Sequence, residues 1–65
     1  MTTDPYTLTA AAAINQLVAL LAEARTYLDQ GETLAALGTL VMFDDHAEDV
    51  RAAIRTLQMA QRRRP

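Results

Sequence analysis

The sequence predicts an all-α protein: an antiparallel helical hairpin, with helices over about 5–29 and 32–62, that dimerises into a four-helix bundle. Three observations carry this. Pro and Gly occur only at Pro5, Gly31, Gly38 and Pro65, so little interrupts helix formation. Apolar residues recur at steps of three and four along both halves of the chain. And 65 residues without a cysteine make one small domain with no disulfide, in a size range where a single core rarely supplies more than about 3–5 kcal/mol. Association with another chain is the stabilising device left.

The first helix begins at Asp4-Pro5. An Asp side chain accepts hydrogen bonds from the free N–H groups of a first turn, and Pro at the first helical position has no N–H to lose. Ile14, Leu17, Leu21, Ala24 and Leu28 then form a stripe that Val18 and Leu20 widen. In "LDQGET" Gly31 can take the left-handed conformation that ends a helix, and Glu32 suits the first turn of the next.

The second helix contains "LVMFDDHAEDVR", residues 40–51, which crowds four carboxylates and the only histidine into positions 44–49. Two readings compete. Asp45 and Glu48 have the spacing of a capping box, which would break the helix near 44–45 and give a three-helix bundle. Against that, Leu40, Phe43, Ala47, Val50, Ile54 and Leu57 form one seam spaced 3, 4, 3, 4 and 3 through the cluster. The unbroken register favours one continuous helix. On it Asp44, Asp45, Glu48 and Asp49 lie off the seam on a solvated face, with His46 pairing locally. The expected dimer core is Ile14, Leu17, Leu21 and Leu28 with Leu40, Phe43, Val50, Ile54 and Leu57. Residues 1–4 and 63–65 are expected to be flexible ends.

Two helices of this length joined by a tight acidic turn resemble the Rop-type plasmid copy-number proteins. "DHAED" followed by Val50 is similar to the middle of that family's second helix, with Ala47 and Val50 on its core seam. The resemblance implies a hairpin that dimerises into a four-helix bundle. It does not extend to RNA binding, because the family's contacts are polar, basic and aromatic residues on the outer face of helix 1, where "TLTAAAAINQLVALLAEAR" offers Arg25 as its only base.

Charge and motif exclude most chemistry. No thiolate is available for zinc or nucleophilic catalysis. His46 and Asp49, with Glu23 approaching from helix 1, would be the start of a bundle metal site, but there is one histidine and no Glu-x-x-His motif. No metal, no cofactor and no catalytic residue is expected. "LAALGTL" faintly resembles the start of a helix-turn-helix, yet the segment after it is acidic and would oppose phosphate. No basic leader precedes an apolar run, and the longest apolar stretch, Ala10 to Ala22, is too short to span a bilayer. A cytoplasmic protein without membrane contact is expected. An all-Arg, Ala-rich composition suggests a G+C-rich bacterial, plasmid or phage source.

Eight acids and Arg25 lie in residues 1–50, while 51–65 carry five Arg and no acid. Arg51, Arg55, Arg62, Arg63 and Arg64 are therefore candidate contacts for nucleic acid or an acidic partner. "LGTLVMF", residues 37–43, is apolar nearly all round, which suits a dimer core or a docking surface with Met42 as an adaptable contact. The expected function is a small non-enzymatic regulator or inhibitor that binds itself and another protein. The alternative is an RNA- or DNA-binding regulator that uses the C-terminal arginines.

Overall fold

A computed structural model describes residues 4–63. Helix α1 spans Pro5–Asp29, α2 spans Thr33–Leu40 and α3 spans Phe43–Arg62. Helices α2 and α3 together form one bent arm that packs antiparallel to α1. The all-α hairpin is thus as expected, with both arms close to their expected limits.

The chemistry of the caps explains those limits. Asp4 is extended, and its Oδ1 accepts from the Thr7 N–H at 2.8 Å while the Thr7 hydroxyl donates to Oδ2 at 3.1 Å. At the far end the Gly31 N–H donates to Leu28 O and the Glu32 N–H to Tyr27 O, at 3.1 and 2.8 Å. This double closure needs a left-handed residue, and Gly31, at φ +75°, is the one positive-φ position among the described residues. Residues 1–3 and 64–65 of the expected flexible ends lie outside the described residues. Of the same expected ends, Asp4 is the N-cap residue of α1 and Arg63 the C-cap residue of α3.

The second arm is neither continuous nor broken at 44–45. It is interrupted at Val41 and Met42, both still in right-handed helical conformation. There the Met42 N–H donates to Thr39 O, three residues back, and the Thr39 hydroxyl donates to Ala35 O at 3.1 Å. A back-bonded Thr beside Gly38 is a recognised way to bend a helix. Because the backbone stays helical, the bend does not reset the register. Asp44 and Asp45 then fall in the first turn of α3, where negative charge suits the exposed N–H groups. No side chain caps α3, so Asp45 is not the cap that its spacing to Glu48 suggested.

The seam that closes the hairpin is built on alanine. On α1 it is Ala10, Ala13, Leu17, Leu20, Ala24 and Tyr27, stepping 3, 4, 3, 4, 3. On the other arm it is Ala36, Thr39, Phe43, His46, Val50, Ala53, Leu57 and Ala60, stepping 3, 4, 3, 4, 3, 4, 3. All but Phe43 are buried or half-buried. Among the described residues only Ala10, Ala24, Ala36 and Ala53 are buried, and no large side chain is. The molecule measures 52 × 23 × 12 Å, so it is one helix thick. A single layer cannot enclose a large side chain on all sides.

Two substitutions test the caps. Asp4→Ala should cost about 0.5–2 kcal/mol by removing the N-cap. Gly31→Ala should cost about 1–2 kcal/mol by forcing a Cβ into the left-handed region. Both should lower the urea midpoint, and an unchanged midpoint in either would show that the cap does not hold its helix end.

Candidate interaction surfaces

The hairpin has two unlike faces. Next to the alanine seam, on one side, lie Ile14, Leu21 and Leu28 of α1 and Leu40, Ala47 and Ile54 of the other arm, one heptad apart in each case. Leu17, Phe43, Val50 and Leu57 rise from the seam between them. The nine residues expected in a dimer core therefore do share one face. Leu17, Leu40, Val50 and Leu57 are half-buried by the hairpin. Ile14, Leu21, Leu28, Phe43 and Ile54 remain 39–51% exposed. At the terminal end this face opens into a shallow groove lined by Thr7, Ile54, Leu57, Gln58, Gln61 and Arg62.

The opposite side is polar. Thr9, Gln16, Glu23 and Gln30 follow one another at heptad spacing on α1, facing the side of α3 that carries Asp49 and Thr56. A groove there is floored by Ala13, Ala52 and Ala53 and edged by Thr9, Gln16, Asp49 and Thr56. Large aliphatic residues on one side and hydroxyls and amides on the other make the hairpin amphipathic as a whole.

The acidic cluster points into solvent. Glu48 forms ion pairs with Arg51 Nη1 and Arg55 Nη2, both at 3.6 Å, and Arg25 Nε donates to Asp29 Oδ1 at 3.0 Å. These pairs are more than half exposed and each contributes at most about 1 kcal/mol. Arg51 and Arg55 are thus engaged with the chain's own carboxylate. Arg62 ends α3 and Arg63 follows it, and neither makes an ion pair among the described residues. Arg64 lies outside them. Among the described residues no three His, Asp or Glu side chains converge as metal ligands, so His46, Asp49 and Glu23 are not brought together.

His46 is not on the solvated face where the sequence reading placed it. It falls one heptad before the buried Ala53, in the seam, and its Nδ1 is buried without a hydrogen-bond partner. The bend is not the cause, since the register runs through it. The seam is simply displaced by one position from the row of large aliphatics. That row, Leu40 to Leu57, was the stronger signal.

Two further features were only partly visible beforehand. Helix α1, at 25 residues, is long and apolar enough to cross a membrane by length and composition, beyond what the Ala10–Ala22 stretch suggested. Core helices of soluble proteins and signal sequences share that property. Second, Leu34, Leu37 and Val41 form an exposed stripe on the outside of α2, at 85%, 57% and 75%. Their spacing of 3 and 4, one step round from the seam, was the available sign. A comparison with protein-family models, curated proteins and solved structures gives no match for the chain.

A buried nitrogen without a partner costs about 1–3 kcal/mol. His46→Leu should therefore raise the urea midpoint with the helical content unchanged. A lower midpoint would mean that the imidazole makes a compensating interaction in the working protein.

Proposed function

We propose that this chain is a small, non-enzymatic, cytoplasmic regulator or inhibitor that acts by protein–protein binding, and that its first partner is a second copy of itself. The observation that carries the reading is the contrast between the core and the surface. Everything buried among the described residues is alanine, while Ile14, Leu21, Leu28, Phe43 and Ile54 are left open on one continuous face. A buried alanine methyl contributes only about 0.8 kcal/mol, against about 1–2 kcal/mol to fix each residue's backbone. The isolated hairpin therefore has little margin. Two hairpins meeting through the aliphatic face would form a four-helix bundle, the assembly that the resemblance to the Rop-type proteins also implies. The polar sides would then face water, and the family likeness would be one of architecture without its RNA contacts.

A second reading has one observation in its favour, the two cations at Arg62 and Arg63 that the hairpin does not neutralise. Contacts to phosphate weaken steeply as salt rises. If these residues, with Arg64, hold nucleic acid, replacing all three by Gln should abolish binding at low salt. Absence of binding by the unaltered protein at low salt removes this reading.

The dimer is tested by sedimentation equilibrium with thermal melts at several concentrations. The expected results are a mass of two chains and a melting temperature that rises with concentration. Leu21→Ala or Ile54→Ala should cost about 2–5 kcal/mol at each of two symmetric sites and should dissociate and unfold the protein together. A folded monomer, with melting indifferent to dilution, would overturn the proposal, and so would partition of the protein into the membrane fraction through α1.

A further inference from the structure

The dimer would leave one apolar surface uncovered. Leu34 and Leu37 of α2 and Val41 just after it lie on the outside of the arm, away from the alanine seam, and Leu34 and Val41 are the two most exposed large apolar residues of the described chain. Leu8 and Val18 are also exposed, but singly, as surface residues commonly are, and Tyr6 and Met59 line a groove at the terminal end. Outside the aliphatic face, the row that lines up along the helix is the one on α2.

The same row continues across the bend with a change of character. Counting in steps of 3 and 4 from Leu34 gives Leu37, Val41, Asp44 and Glu48, with Asp45 alongside. An apolar half-row thus runs into an acidic half-row, and Glu32 borders its other end. Asp44 and Asp45 make no ion pair among the described residues. In the middle of the apolar half sits Gly38, beside the back-bonded Thr39 at the bend. Its backbone is not left-handed, and a Cβ built on it meets nothing within 4 Å. A helical Gly costs about 1 kcal/mol relative to Ala. A bare backbone at that point is useful where another backbone comes close.

From these we infer that the outer face of α2 and the first turns of α3 form a docking surface for an amphipathic helix of another protein, one with apolar residues at one end of its contact row and Lys or Arg at the other. The inference rests on the reading of the chain as a protein-binding regulator and specifies the chemistry of the partner. The apolar row supplies the burial. The carboxylates choose a cationic helix over an acidic one and fix its direction, since only one orientation sets its bases against Asp44 and Asp45. Gly38 lets the helix axes approach.

The test uses the full-length protein and two synthetic helical peptides of about 18 residues, long enough to hold a helix once docked. Both carry Leu at three positions spaced 3 and 4. One continues the row with Lys and the other with Glu. Binding is read by calorimetry, with sedimentation on the same samples. The Lys peptide should bind and the Glu peptide should bind at least about tenfold more weakly. Leu34→Ser with Val41→Ser, at exposed positions, should abolish binding while helicity and sedimentation mass stay unchanged. Asp44→Lys with Asp45→Lys should reverse the preference between the peptides. Gly38→Ala should raise the melting temperature yet weaken the Lys peptide about tenfold. Equal binding of both peptides, or of neither, overturns the inference. So does a sedimentation mass above two chains that the Ser variant reduces, since the occupant would then be another copy. Uptake of the protein by anionic vesicles that the Ser variant abolishes overturns it in favour of a lipid surface. A monomeric protein that still binds the Lys peptide with these signs sinks the dimer and leaves this surface standing.

Discussion

Everything in this molecule follows from the alanines between its helices. The separation of two packed helices is set by the side chains at their contact, and here Ala10, Ala13 and Ala24 meet an arm bearing Ala36, Ala53 and Ala60. Small residues bring the axes close and leave no room for an Ile or a second Leu in each layer. The larger aliphatics are accordingly pushed to one flank, where they sit half covered by their own hairpin. The tight seam and the open face are therefore two results of one packing choice. A hairpin closed by leucines would hold its helices further apart and cover more of its own apolar surface.

The limits of the helices were legible in the sequence because each is decided locally. Asp4-Pro5 and Gly31 act through hydrogen bonds and backbone torsions spanning five or six residues, so a short window holds all the physics. The seam was not legible in the same way. Leu40, Phe43, Ala47, Val50, Ile54 and Leu57 repeat with the period of Thr39, Phe43, His46, Val50, Ala53, Leu57 and Ala60, and periodicity cannot say which of two adjacent rows meets the other helix. Size favoured the first, while close approach selects the second. The bend was missed for a related reason: Asp45 and Glu48 have capping-box spacing, but the interruption lies upstream at Val41 and Met42, next to Gly38 and the back-bonded Thr39.

The crowding of charge at 44–49 has a structural explanation once the bend is known. An interrupted helix must start again, and α3 restarts with neutral residues at its cap. Asp44 and Asp45 supply the negative charge that its first N–H groups favour. Glu48 then holds Arg51 and Arg55 along the same helix. His46 belongs to another row and contributes to none of this. Neighbours in sequence, these residues divide on the helix into an outward acidic face and an inward imidazole ring, pointing in different directions.

The rows also divide the surface by what can cover it. A second hairpin laid on the aliphatic face reaches Ile14, Leu21, Leu28, Phe43 and Ile54, because these lie within about a quarter turn of the seam. It reaches Leu34 and Val41 less well, since these lie more than a quarter turn from that face at about 100° per residue. The aliphatic face and the outer stripe of α2 are thus separate surfaces, and the bend lies between α2 and the α3 segment that carries Val50, Ile54 and Leu57. Up to Leu40 the arm bears apolar residues on nearly every side, whereas from Phe43 onward it is polar outside and apolar inside. The short helix before the bend is the part of this chain whose composition a dimer alone does not explain.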